Sequence, residues 1–337
     1  MAQNRKSRGG TRRPAAVAAS VAPRRSAPPA GDTARARRSR QAGWMVVAAV
    51  VVVALVLVLI NVLEGATGSS SPVVTGADRS PAAAPAAAVQ ALTSIPSAVY
   101  DRIGTSGEPA PFAITAGQPP LRLSGKARLV YEGAEYCPYC AADRYAIIAA
   151  LARFGRFSGL GVTASGDKDG NIPTFSFLNS TYQSRYVAFT PYEAADRLGQ
   201  PLQRVPQQVQ KLFATYAGDP ATNTASRFGA NRWAAPGIPF LDLANRYVVA
   251  GTSSALATVV ESGVLNKDKT DIVAISKAIR APATAAGRRI GAASFVADAN
   301  YLAAGICSVD GGRPASVCAS AGVRHAATVL ARVPPIR

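Results

Sequence analysis

Apolar residues follow different rhythms along this 337-residue chain, and each rhythm predicts a different kind of segment. Residues 44–63 (WMVVAAVVVVALVLVLINVL) carry no charge and a single amide, Asn61. As a helix rising ~1.5 Å per residue they extend about 30 Å, the thickness of a bilayer's hydrocarbon core, and so predict one transmembrane helix. A cleaved signal peptide has a shorter apolar stretch and a short basic lead, whereas 43 residues precede this one. A buried helix of a soluble protein rarely presents apolar residues on every side. Residues 64–95 are rich in Gly, Ser, Pro and Ala without a periodic apolar face, which predicts a flexible linker. Residues 96–331 alternate short apolar runs with helical stripes and predict one globular α/β domain.

Within that domain, Leu129, Val130 and Tyr131 predict a short strand, and Ala141, Tyr145, Ile148, Ala149 and Ala152 recur at the spacing of a helix packed on one face. Residues 159–164 predict a further strand. Residues 240–243 and 246–250, joined by Ala244-Asn245, predict a hairpin, followed by a helix over 254–263. Between these parts lies an insert at about 166–235. In it, 174–177 alternates as a half-buried strand with 186–189 as its candidate partner, and 191–198 and 207–216 predict short helices. A helical C-terminal extension carries the stripe Phe295, Ala299, Leu302 and Ile306 and then a terminal helix over 314–331.

Charge sharpens the topology. Lys and Arg number 37 against 19 Asp and Glu, a net charge of +18 that suggests a nucleic-acid or anionic-surface binder. Its distribution redirects that reading: residues 1–43 hold eleven of the basic residues and one acid, Asp32. Basic residues beside a span stay cytoplasmic. The tail, disordered by composition, therefore reads as a topology signal, with binding to anionic lipid or nucleic acid as its other reading. The expected protein is single-pass in the lipid bilayer, N-terminus cytoplasmic and main domain extracytoplasmic, with no nucleic-acid partner.

The chemistry concentrates at Cys137-Pro138-Tyr139-Cys140, placed at a strand-to-helix turn. Proline suits the first helical position. The free N–H groups of a helix start favour a thiolate over a thiol, which makes Cys137 the candidate nucleophile. Cys140, one turn further on, is the candidate resolving thiol that attacks a mixed disulfide formed at Cys137. Glu132 and Glu135 lie just upstream, and their charge is expected to oppose thiolate formation. Pro239 opens the hairpin at an X-Pro bond of the kind where a cis peptide is expected.

These pieces, strand, C-x-x-C helix, strand, long insert, Ile238-Pro239 hairpin and helix, resemble the thioredoxin superfamily. The run Gly133-Ala134-Glu135-Tyr136-Cys137-Pro138-Tyr139-Cys140-Ala141-Ala142-Asp143-Arg144, the later Gly237-Ile238-Pro239-Phe240 and the pair Cys307 and Cys318 look more closely like the membrane-anchored domain-of-unknown-function family 929 of actinobacteria and archaea, over about residues 90–331. The resemblance implies a thioredoxin-like fold with a long insertion and a helical C-terminal extension, preceded by one transmembrane helix. It makes Cys137 and Cys140 the active pair and Pro239 the cis-proline. The function expected is thiol-disulfide oxidoreductase, with protein thiols or disulfides outside the cytoplasm and a membrane redox component as partners, and no cofactor. The alternative is a non-catalytic binding module of the cell envelope on the same fold.

Zinc held by four cysteines is disfavoured because the second pair is spaced by ten residues and the site faces an oxidising compartment. Cys307 and Cys318 are expected to form a structural disulfide, the other reading being a relay to the first pair. Tyr182, Tyr186, Phe189 and Tyr192 read as core, with a peptide groove as the alternative. His325, the only histidine, lacks partners at a telling spacing and reads as a surface residue.

Overall fold

A computed structural model describes residues 81–217, 237–267 and 270–336. The expected basic tail and the transmembrane helix at 44–63 lie outside the described residues. The described chain is mixed α/β. In chain order it runs β1 (Ala82–Ala83), α1 (Ala86–Thr93), α2 (Ser97–Ile103), β2 (Ala113–Thr115), β3 (Arg122–Leu123), β4 (Lys126–Gly133), α3 (Pro138–Leu151), β5 (Gly155–Ser158) and β6 (Gly161–Ala164). There follow β7 (Pro173–Ser176), β8 (Thr181–Ser184), β9 (Val187–Glu193), α4 (Gln207–Ala217), β10 (Phe240–Leu243), β11 (Tyr247–Ala250) and α5 (Ser254–Glu261). The rest is helical until the last strand: α6 (Ile272–Arg280), α7 (Ala285–Arg289), α8 (Ala292–Val309), α9 (Ala315–Cys318), α10 (Ala321–Leu330) and β12 (Pro335–Ile336).

The main sheet is built on β4. Its antiparallel neighbour β10 pairs Leu241 with Tyr131 and Phe240 with Glu132, and β11, β2 and β12 continue outward from β10. On the other side β9 runs parallel, with Leu129 opposite Phe189 and Tyr131 opposite Pro191. The short β3 pairs with the start of β4. Being central, β4 is buried on both faces: Leu129 and Tyr131 enter the main core with α3, while Val130 packs with Val205 and Val209 on the α4 side. The hairpin forms as its sequence predicts. Ala244 and Asn245 both take positive φ, 59° and 57°, as a two-residue turn with matched twist requires, and the Asn245 N–H donates to the Asp242 carboxylate at 2.7 Å.

Four local expectations are corrected. Residues 186–189 do not pair with 174–177: β9 joins the main sheet beside β4, and β7 pairs with β6 in a separate three-stranded sheet. A strand of the main sheet thus runs through the segment read as an insert. Residues 191–198 are no helix, because β9 continues to Glu193 and a loop follows. The linker reading of 64–95 fails at its far end, where α1 buries Ala88, Ala91 and Leu92. Alanine is the best helix former, and an Ala-rich segment without large apolar residues looks like a tether until it meets a partner helix, here α6. The helix after the cysteines is not packed on one face: α3 is buried from Cys140 to Leu151, with α8 and α5 against it.

α8 is the one described helix long and apolar enough to cross a membrane, and 72% of its apolar window is buried inside the fold, which makes it a core helix here. Cys307 in α8 is disulfide-bonded to Cys318 in α9, eleven residues on. Closing so short a loop stabilises by about 3 kcal/mol in the chain-entropy model. Tyr182 and Phe189 pack with Phe157 and Phe177 in a largely edge-to-face aromatic cluster, and Tyr186 packs on Phe154. Tyr192 turns to the other face, where Arg128 Nη2 donates to its hydroxyl at 3.3 Å. Phe189 is buried, and Tyr182, Tyr186 and Tyr192 are half-buried against the core clusters. His325 is exposed on α10.

Candidate functional site

The cysteines sit where β4 ends and α3 begins. Gly133 closes β4 because the Tyr131 hydroxyl lies against its Cα, leaving no room for a Cβ. Cys137 is the N-cap of α3 and Pro138 its first residue. In place of the usual hydroxyl or carboxylate, the Cys137 sulfur takes the capping bond, accepting from the Cys140 N–H at 3.1 Å. Across from it the hairpin strand β10 is entered through a cis Ile238–Pro239 peptide, and Cys137 Sγ lies 3.8 Å from the Ile238 carbonyl, to which the thiol donates. Pro239 has no N–H, and its carbonyl accepts from Gly251 N at 2.8 Å. The geometry therefore brings together Cys137, Cys140 and Pro239. Cys137 keeps 4% of its surface exposed and Cys140 none, so a partner meets Cys137 first. Both are free thiols, and Cys307 and Cys318 are bonded to each other.

The two thiols are pushed apart electrostatically. Burial raises Cys137, but hydrogen bonds from the Cys140 side chain and backbone, and then the Arg144 guanidinium, outweigh it and bring the thiol below its ordinary value. Cys140 is held well above, by burial first and then by its bond and charge interaction with Cys137. One group is poised to be an anion and the other to keep its proton until it is needed.

The opposition expected from Glu132 and Glu135 is tempered by burial. Burial lifts Glu132 to about 7. It raises Glu135 too, although Ser176 donates to that carboxylate at 2.7 Å and Thr163 at 3.1 Å. Their negative charge beside Cys137 is thereby weakened.

Sequence reasoning missed the charged pair behind the cysteines. Arg144 and Glu193 are both fully buried. Arg144 Nε donates to Glu193 Oε1 at 2.9 Å and Nη2 to Oε2 at 2.6 Å, a bidentate fork, and Nη2 also reaches the Ala134 carbonyl at 2.9 Å. Glu193 Oε1 accepts from Phe177 N at 3.1 Å as well. Arg144 lies within the quoted motif, but only the fold turns it inward and brings β9 to it.

Three other acids share the behaviour of Glu132. Asp143 is raised well above its ordinary value, first by burial, with Thr252 bonded to it. Asp242 and Asp298 are each lifted to about 7, again by burial first. One oxygen on each of Glu132, Asp242 and Asp298 is buried without a partner among the described residues, as suits a neutral acid better than an ion. Groups raised in the fold from about 4 when unfolded contribute stability that is full below about 4 and lost as pH rises towards 7. Thermal melts should therefore show a higher melting temperature near pH 5 than near pH 8. Asp242→Asn, which keeps the oxygen that caps Asn245, should flatten the fall; an equal slope in that variant would rule Asp242 out as a source.

Among the described residues no cluster of His, Cys, Asp and Glu has the makings of a metal site. Compared with curated proteins and with solved structures, the chain finds no match. The match to a family model is narrower than the resemblance expected from the motifs: it spans residues 115–278, taking in Cys137, Cys140, Arg144, Glu193 and Pro239 and leaving out Cys307 and Cys318. Residues 115–278 match the model of the family described as Domain of unknown function (DUF929).

Proposed function

We propose that this chain is a membrane-anchored, extracytoplasmic thiol-disulfide oxidoreductase of thioredoxin-like fold, acting on envelope or secreted proteins. The observation that carries the reading is Cys137 at a helix start, 3.8 Å from the carbonyl of a cis Ile238–Pro239 peptide, with the sealed Cys140 bonded behind it. The fold part is supported by the sheet order β9-β4-β10-β11, in which β9 is parallel to β4, β10 and β11 are antiparallel, and α3 and α5 follow β4 and β11. The anchoring and orientation rest on the uncharged 44–63 and the basic residues before it.

In the reductive direction, the Cys137 thiolate attacks a client disulfide. A bond forms between Cys137 Sγ and one client sulfur, the client S–S bond breaks, and the departing sulfur takes a proton. Cys140 then gives up its proton and attacks Cys137 Sγ. The Cys137–Cys140 disulfide forms, the second client thiol leaves, and two electrons have passed to the client. Run backwards, the same steps oxidise a client dithiol. The unequal thiols suit both directions, since the more accessible residue attacks and the sealed one resolves.

A Cys140→Ala chain expressed in cells should accumulate client proteins as mixed disulfides on Cys137, visible as reducible adducts on non-reducing gels. A Cys137→Ala control should lose them. An empty trap, or the same adducts in both variants, would leave the non-catalytic envelope module as the better account.

A further inference from the structure

Arg144 is the largest fully buried side chain of the described residues, and it lies one helical repeat behind the cysteines. Glu193 holds two of its nitrogens and Ala134 O shares one of them, while the third, Nη1, is buried with no partner among the described residues. The Tyr131 hydroxyl is likewise fully buried and unpartnered. Such groups are expensive to leave unmade, so a cation arm and a hydroxyl left over in one place call for a role. The Tyr131 hydroxyl lies against Gly133, next to the Ala134 whose carbonyl Arg144 Nη2 reaches, and Arg144 follows Cys140 by one turn of α3, which sets these side chains in one buried cluster beside the redox pair. Guanidinium cannot release its proton, so this is a permanent positive charge and not a proton donor.

We infer that Arg144, clamped by Glu193, is a positioning residue for the exchange reaction: a fixed buried cation that stabilises the sulfur anion at Cys137 before attack and at Cys140 during resolution. The inference rests on the proposed oxidoreductase function. In the cycle above, negative charge resides first on Cys137 Sγ, passes to the departing client sulfur, and returns when Cys140 gives up its proton. A cation held in one place serves both sulfurs without moving. Glu193 keeps that cation oriented and moderates its field. The two partners of the ion pair should therefore have opposite effects on the nucleophile, and a merely structural pair would not.

The experiment uses the full-length reduced chain and follows alkylation of Cys137 by iodoacetamide against pH, with mass spectrometry assigning the modified residue. Arg144→Met should move the midpoint up by about one pH unit, slowing alkylation roughly tenfold at pH 6. Arg144→Lys should recover part of the loss. Glu193→Gln, which keeps an acceptor for Arg144 and removes the opposing charge, should move the midpoint down. A Glu193→Gln midpoint that stays or rises overturns the inference even where Arg144→Met does not fold, and so does an unmoved midpoint in folded Arg144→Met. Failure of the oxidoreductase reading is separate and visible in the parent: its Cys137 would alkylate like an ordinary thiol and exchange with no disulfide.

Discussion

Cys137→Ser should reduce a disulfide-bonded model protein no faster than the uncatalysed reaction, and it should melt within a few degrees of the parent. Both halves follow from the position of the residue. Cys137 is the only residue of the pair with any exposure, so loss of its sulfur leaves Cys140, fully buried and with its thiol held well above the ordinary value, without access to a client. Serine is among the preferred N-cap residues. Its oxygen can accept from the Cys140 N–H as the sulfur does, and α3 keeps its first turn. Single-turnover reduction by the reduced full-length chain, read beside a thermal melt, checks both. Retained exchange would move the nucleophile elsewhere. A large loss of melting temperature would make Cys137 a structural cap above all. Cys140→Ser should differ in kind: it should form the mixed disulfide and stop there.

What could be read from the sequence was local. The hairpin at 240–250 followed from two apolar runs and a two-residue turn, and the order strand, cysteines, Pro138, helix placed the thiols at a helix start, because each of those signals spans fewer than about a dozen residues. What could not be read was long-range. α3 carries a stripe that fits one buried face, yet its alanines allow neighbours close approach on every side, and Asp143 and Arg144, which should look outward, are sealed in. β9 is a short apolar run whose partner is fixed only by the parallel register with β4, so nothing near it announced membership of the main sheet. Arg144 and Glu193 are 49 positions apart, and no spacing rule joins them. The same limit applied to α1, whose alanines acquire a core only when α6 covers them. How far Glu132 and Glu135 oppose the thiolate could not be read for a related reason: their upstream position suggests charge, and burial raises both carboxyls and so weakens it.

Glu193→Ala should be among the most destabilising single changes in the described fold, and worse than Arg144→Met. The carboxylate accepts from Arg144 Nε and Nη2 and from the Phe177 N–H, all in a site with no solvent exposure. Its loss leaves a guanidinium with Ala134 O as its one partner among the described residues, and guanidinium has no neutral form to retreat to. In Arg144→Met the orphaned group is instead a carboxyl, which can take up a proton and bury itself neutral. Breaking a buried pair by removing one partner costs about 3–5 kcal/mol. At roughly 2–4 °C per kcal/mol for a domain of this size, the Glu193→Ala melt should fall by roughly 6–20 °C. Measured against the parent at the same pH, the Arg144→Met deficit should shrink as pH is lowered and the Glu193→Ala deficit should not, because only the first leaves a group that protonation relieves. Thermal melts of the three chains between pH 5 and pH 8 decide it: a Glu193→Ala chain that melts with the parent, or one whose deficit against the parent also shrinks in acid, would mean that water or a rearranged side chain solvates Arg144 and that the pair behind the cysteines is not sealed.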